Sequence, residues 1–302
     1  MLTGAHLYNP SATLSIRGPD ANSFLQGQFT NELNRPIGSA TYGLWLNQKG
    51  KTLADSFVLR RAADDFLVLS KFSPAAVIRQ RLEAYIIADE VTVTDETSAW
   101  HAIDLWGPQA GQIAQSLFGA LPADGFFGHA DGAILFRGRS SRENGFTLLC
   151  PAAGVTELFS RVLAGGATES DANAVATARI TQGLPAVPAD IGPSDLPNEG
   201  GLDEVAISFT KGCYLGQEVM ARLKNLGQVR RRLHVVEGRG AAPPHGSEIF
   251  QNGKRVGEFR STARHGDGFV AFTMLSLLNL NPAAGLSRSS DGPADLRIVP
   301  PS

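Results

Sequence analysis

The chain has 302 residues, 43% hydrophobic and 19% charged, a globular composition with room for about two domains. Its formal net charge of −2 gives the whole molecule no pull on nucleic acid, and no apolar run reaches the ~18 residues of a membrane span. Two cysteines, Cys150 and Cys213, make neither a disulfide framework nor a zinc-ligand spacing, and the six histidines are scattered, so no metal site is expected.

The first residues, MLTGAHLYNPSATLSIRG, match neither a secretory nor a mitochondrial presequence, and a cytoplasmic location is the expectation. ATLSIRG puts Leu14 and Ile16 on one face of a strand, and Pro19 then opens a helix through Phe24 and Leu25. TYGLWLNQKGKTLADSFVLRR reads as two strands around Gln48-Lys49-Gly50, where Gly50 can take a positive φ. DDFLVLSK adds a strand. Ser73 and Pro74 form a cap and first position for a helical stripe of Val77, Ile78, Leu82, Tyr85 and Ile86. DEVTVTD and HAIDLWG are short strands, Gly107-Pro108 starts a helix, and AILFRGR and GFTLLCP form a further pair. Cys150 closes the last of these as a small buried hydrophobe. Helices are expected near 155–163 and 172–181.

GLPAVPADIGPSDLPNEGG, with four prolines, excludes a regular helix or central strand and reads as a loop lining a site. From Arg232 onward short strands dominate, and Asn252-Gly253 marks a hairpin. Residues 231–302 are expected to form a small β-barrel-like domain. Strand pairs mixed with packed helices place the fold in the α+β class.

TKGCYLGQEVMAR sets Cys213 between glycines, just before a short helix and two residues from Lys211. A helix N-terminus and a lysine both favour a thiolate, while Glu218 opposes it. The residue is either a reactive thiol or a buried structural one; a Cys–His nucleophile pair has no favoured histidine. Lys211, Arg222, Lys224, Arg230, Arg231 and Arg232 gather here. They form either a solvated face or a clamp for an anionic ligand, with RNA the least favoured for want of stacking aromatics.

FLQGQFTNELN, LNQKGKTLADSFV, ARITQGLP and SFTKGCYLGQEVMAR occur in this order, from the first helix to the barrel. Together they resemble the YgfZ family of folate-binding proteins, which is similar to the aminomethyltransferase (T-protein) of the glycine cleavage system. The resemblance also extends to the mitochondrial iron–sulfur assembly factor of the same family. It implies a GcvT-like ring of three subdomains with a ferredoxin-like unit and a C-terminal β-barrel. Residues 1–230 would then form the folate-binding body, its second subdomain roughly 45–100, and residues 231–302 the barrel. The cofactor implied is tetrahydrofolate or a one-carbon derivative. The implied role is that of an accessory factor for making or repairing iron–sulfur enzymes, a tRNA-thiolating one included. Its partners would be client enzymes or assembly factors, with no direct nucleic acid and no membrane. Carried over, the functional cysteine is Cys213, in a loop shaped by Lys211, Gly212, Tyr214, Gly216, Gln217 and Glu218.

Two positions depart from the relatives. T-proteins have an Asp-Asp pair where this chain has Ala54-Asp55, and many relatives have a glutamate where it has Thr181. The first leaves half of the pair absent; with the second, either the hold on folate is weaker or the pterin is held by other groups. Candidate folate contacts are Asn31, Tyr42, Asp55, Arg179 and Arg222, with the basic cluster meeting the glutamate tail. Each has a structural alternative. Asn31 turns the chain, Tyr42 and Trp45 pack in the core, Asp55 is a hydrogen-bonded carboxylate, and Arg179 anchors the proline-rich loop. The alternative function is a tetrahydrofolate-dependent one-carbon transferase; a third is a scaffold with a vestigial pocket.

Overall fold

The computed structural model describes residues 2–227, 229–278 and 280–301. The chain begins in one sheet, crosses to a second and then returns. β1 (Gly4–Tyr8) belongs to the first sheet. The second takes β2 (Ala12–Arg17), β3 (Ala40–Leu46), β4 (Thr52–Arg60), β5 (Asp65–Ser70) and β6 (Thr92–Asp95), in the order β3-β4-β5-β2-β6. On one of its faces lie α1 (Ala21–Gln28) and α2 (Ala75–Glu83).

The first sheet is completed by β7 (Trp100–Trp106), β8 (Phe127–Ala130), β9 (Ala133–Arg137), β10 (Gly145–Pro151) and β11 (Thr168–Glu169). Its order is β11-β1-β7-β10-β9-β8, with α3 (Ala110–Phe118) and α4 (Val155–Ala164) on its outer face. α5 (Ala172–Thr181) leads into the proline-rich stretch, which holds a 3-10 turn at Pro197–Gly200 and the single-turn α6 (Asp203–Ala206). α7 (Gln217–Leu226) follows the motif cysteine.

The third sheet runs β13-β14-β15-β12-β16, from β12 (Arg231–Arg239), β13 (Glu248–Gln251), β14 (Lys254–His265), β15 (Gly268–Ser276) and β16 (Leu296–Val299). Bridges Phe250–Ser287 and Leu286–Leu296 tie its two edge strands to one segment, so the sheet curls into a barrel. The hairpin between β13 and β14 turns at Asn252 and Gly253, whose φ values of 50° and 75° suit a two-residue primed turn.

Strand periodicity sorts the side chains into separate cores. On β4, Ala54 and Val58 face α1 and α2, whereas Phe57 and Leu59 face the first sheet. On β7, Ile103 and Leu105 face α3 and α4, whereas Ala102 faces the second sheet. The body is therefore four layers deep, helices outside and two sheets face to face. α5 lays Ile180 on Val235, Ala263, Val270 and Phe272 of the barrel. Cys150 lies within the core under α3 and α4, where burial pushes its thiol up to about 11.

Local expectations shift at two helices. α1 starts at Ala21 after Asp20, not at Pro19. α2 stops at Glu83, so Tyr85 and Ile86 lie beyond it, and Val77 is exposed. The proline-rich stretch is fastened to the barrel around two fully buried carboxylates. Asp190 pairs with Arg179 and accepts the Ser261 N–H; Asp195 accepts from Arg231 at 2.8 Å and Arg260 at 3.2 Å. No described helix is long and apolar enough to cross a membrane.

Candidate functional site

The motif loop is built on a buried ammonium. Lys211 Nζ donates to the carbonyls of Gln26, Phe29 and Asn31 at 2.8, 2.7 and 2.8 Å. These carbonyls belong to the end of α1 and the turn after it, where helix geometry leaves acceptors unpaired and the dipole favours a cation. Burial pulls the ammonium down to about 8, while the three acceptors hold its charged form. Further bonds join the same two segments: Ser208 N to Thr30 O, Leu215 N to Gly27 O, and Thr30 Oγ1 to Ala206 O.

Tyr214 also points inward, its hydroxyl buried without a partner among the described residues and pushed up to about 12 by burial. Gly212 and Cys213, between these two anchors, arch outward and are exposed. Gly216 has a φ of 87°, and a Cβ there would meet Asn47 O at 2.9 Å, so glycine is required where the loop meets the β3–β4 hairpin. Gly212 carries no such demand; it has open space and no left-handed φ. Gln217 and Glu218 open α7, with Glu218 exposed.

A cleft lies elsewhere, where the facing sheets turn from apolar to polar beneath α5 and Leu184-Pro185. Its free space, counted out to the mouth, is about 760 Å³. Asp55 lines it from β4 and accepts from Tyr42 Oη at 2.9 Å, Ser70 Oγ at 3.1 Å and Ser73 Oγ at 2.7 Å. Burial raises its carboxyl above the ordinary carboxylate value, against the pull of these donors and of Arg139. Ser73, expected as a helix cap, spends its hydroxyl here, and α2 has no side-chain cap. Burial likewise raises the Tyr42 phenol.

The opposite wall repeats the arrangement. Asp104 on β7 accepts from Thr147 Oγ1 at 2.8 Å, Lys71 Nζ at 2.6 Å and Tyr8 Oη at 3.3 Å. Burial, then Asp104, pushes the Tyr8 phenol well up. Each tyrosine ring carries a cation from the other sheet: Lys71 lies 4.4 Å from the Tyr8 centroid and Arg139 4.2 Å from that of Tyr42.

Of the residues singled out in the sequence, Tyr42, Asp55 and Arg179 line this cleft. Arg179 binds Asp190 and the Leu184 carbonyl, which makes it an anchor of the proline-rich loop. Asn31 holds its own turn, donating to Tyr42 O and accepting from Glu32 N, and is not part of the cleft lining. Arg222 is exposed on α7. The basic cluster disperses: Lys211 is buried, Lys224 lies over Phe209, and Arg231 pairs with Asp195 and Glu199. None of the cluster lines the cleft, and Cys213 does not either.

Ala54 bears on the lost half of the Asp-Asp pair. It packs in the core under α1, while Asp55 faces the cleft, so the cleft position keeps its carboxylate. Thr181 turns its hydroxyl to Thr177 O and Ala178 O of its own helix. The sequence reading passed over Tyr8, Lys71, Asp104 and Arg139. Alternation marks Asp104 as inward-facing within HAIDLWG; Arg139, in a loop, carries no comparable signal. Among the described residues no group of three or more His, Cys, Asp or Glu side chains could hold a metal ion.

Residues 8–211 match the GCVT N-terminal domain family, and residues 230–277 match the CAF17 C-terminal beta-barrel domain. The tRNA-modifying protein YgfZ of Edwardsiella ictaluri is 29% identical over 95% of this chain and 88% of its own. The mitochondrial iron-sulfur cluster assembly factor IBA57 of Homo sapiens is 31% identical over 87% of this chain and 74% of its own. An aminomethyltransferase of Listeria monocytogenes is 25% identical over 84% and 73%. In fold, the glycine cleavage aminomethyltransferase T of Bartonella henselae superposes with a TM-score of 0.77 at 22% identity, covering 92% of this chain and 79% of that one.

Lys211→Met would leave three carbonyls without their donor, and urea denaturation should show a loss of about 3 kcal/mol. Tyr42→Phe removes one donor from Asp55, penalising the ionised carboxylate alone. Its carboxyl carbon NMR shift should then titrate still higher. A carboxyl raised in the folded state stabilises the fold below the ordinary carboxylate range and loses that contribution as pH rises through the raised value. The variant should lose about 1 kcal/mol at pH values above the raised Asp55 titration and less below it.

Proposed function

Since the chain belongs to the GCVT N-terminal domain family, alongside YgfZ and IBA57, we propose that it is a folate-binding accessory protein for iron–sulfur enzymes. The observation that carries the folate half is the cleft, a groove with aromatic walls and a deep carboxylate held by three hydroxyl donors. Tetrahydrofolate fits the chemistry of those residues. Its ring N–H groups need a buried acceptor, which Asp55 offers, and its heterocycle needs apolar walls, which Phe72, Val175 and Leu184 line. When bound, the cofactor supplies a carrier for one-carbon units. This chain's residues bind and orient it, and α5 with Leu184-Pro185 shields it from water.

Cys213 acts, in this reading, at the surface toward a partner protein, because its thiol is exposed and outside the cleft lining. An exposed thiol held between two buried anchors can meet a client's cluster or its damaged ligand without the chain unfolding. The names of the relatives, an iron-sulfur cluster assembly factor and a tRNA-modifying protein, support that class of client.

A one-carbon transferase is the second reading, favoured by the retained cleft carboxylate Asp55. It requires turnover of tetrahydrofolate with an aminomethyl donor by the purified protein; a complete lack of turnover removes it. The accessory reading expects Cys213→Ala to melt with the wild type, to give the same folate titration by calorimetry, and to lose support of a cluster-dependent enzyme about tenfold or more. Undiminished client activity in that variant would sink the role of the thiol. A wild-type protein giving no heat and no thermal shift with a reduced folate would sink the folate half.

A further inference from the structure

Three cations line the cleft, and two are committed within the protein. Lys71 Nζ is on Asp104 at 2.6 Å, and Arg179 is on Asp190 and the Leu184 carbonyl. Arg139 differs. Among the described residues its guanidinium has no hydrogen-bond acceptor; it lies over the Tyr42 face at 4.2 Å and favours the charged form of Asp55. The next residue, Ser140, also lines the cleft, and its Oγ is shut off from solvent with no hydrogen-bond partner. Arg139 thus lines the cleft with guanidinium donors that no protein acceptor receives. A guanidinium with no protein acceptor keeps its donors for an acceptor on a ligand.

The loop that carries them, between β9 and β10, is held in place. Arg142 Nε donates to Gln182 O at 2.5 Å, and the Arg142 N–H donates to Gln182 Oε1 at 3.1 Å. Arg139 is therefore positioned by its loop and by Tyr42, whose hydroxyl in turn donates to Asp55. A guanidinium donor and a carboxylate acceptor stand one tyrosine ring apart. Their complement is a flat heterocycle with a ring N–H beside a ring oxo group.

We propose that Arg139 contacts the ligand by donating to the ring oxo group of a folate, and that with Asp55 it selects an oxo-pterin over a diamino-pterin. The proposal rests on the folate reading of the cleft. Replacing the oxo group by an amino group turns an acceptor into a donor facing Arg139, which is an opposed contact.

The test is calorimetric titration of tetrahydrofolate, and of the analogue with an amino group in place of the ring oxo, into wild type and Arg139→Met. Wild type should prefer the oxo form by roughly tenfold or more, and Arg139→Met should lose roughly tenfold or more for that form alone. Its preference should then fall by the same roughly tenfold factor, leaving the share that Asp55 supplies through the ring N–H. Arg139→Met should melt with the wild type, since no protein ion pair is lost. If it does not, Arg139→Lys, which keeps the charge without the planar fork, should show an intermediate loss. Unchanged oxo binding in Arg139→Met, or equal loss for both ligands, overturns the proposal while leaving the folate reading standing. A wild type that binds neither ligand overturns both.

Discussion

The motif loop is organised by one ammonium ion among three carbonyls. Lys211 meets the unpaired end of α1, and in doing so it joins two stretches of sequence some 180 residues apart. A buried cation without acceptors would be intolerable, and helix-end carbonyls without a donor would be nearly so. Each solves the other's problem. Because Lys211 and Tyr214 are both drawn inward, the two residues between them have to bulge out, and Cys213 is one of those two. The exposure of the thiol is thus a consequence of anchoring on either side of it.

The cleft follows from a different constraint, the alternation of strands. The faces that supply Leu59, Ala102 and Phe136 to the joint between the two sheets continue into Asp55, Asp104 and Thr147. Where the residues are apolar, the sheets close on each other. Where they are polar, the groups need partners, and most find them on their own sheet, in two matching sets of tyrosine, carboxylate and hydroxyl that each receive a cation from the other sheet. Lys71 and Arg139 each reach from one sheet to a tyrosine of the other, so the cleft walls are braced without being collapsed.

Much of the framework was legible because it depends on local pattern. The β3–β4 and β13–β14 hairpins are marked by Gly50 and by Asn252-Gly253, residues suited to positive φ, and the period-two strands are marked by their own alternation. Cys150 was readable as core from the apolar strand that ends in it. Harder were the residues whose role depends on a distant partner. Ser73 has the sequence of a helix cap, yet the Asp55 carboxylate across the hairpin is a stronger acceptor for its hydroxyl. Lys211 looked like part of a basic patch, and the other five members of that patch share no site with it.

The sequence alone determined the succession of elements, the α+β class, the barrel and the cysteine motif, because propensity, turn chemistry and spacing act over a few residues. Tertiary structure alone decided that the thiol and the cleft are separate places, that Lys211 is an internal strut, and that Arg139 is, among the described residues, a cleft cation with no hydrogen-bond acceptor in the protein. Those facts depend on which charges meet across hundreds of residues of chain, and burial and pairing do not exist until the layers have packed.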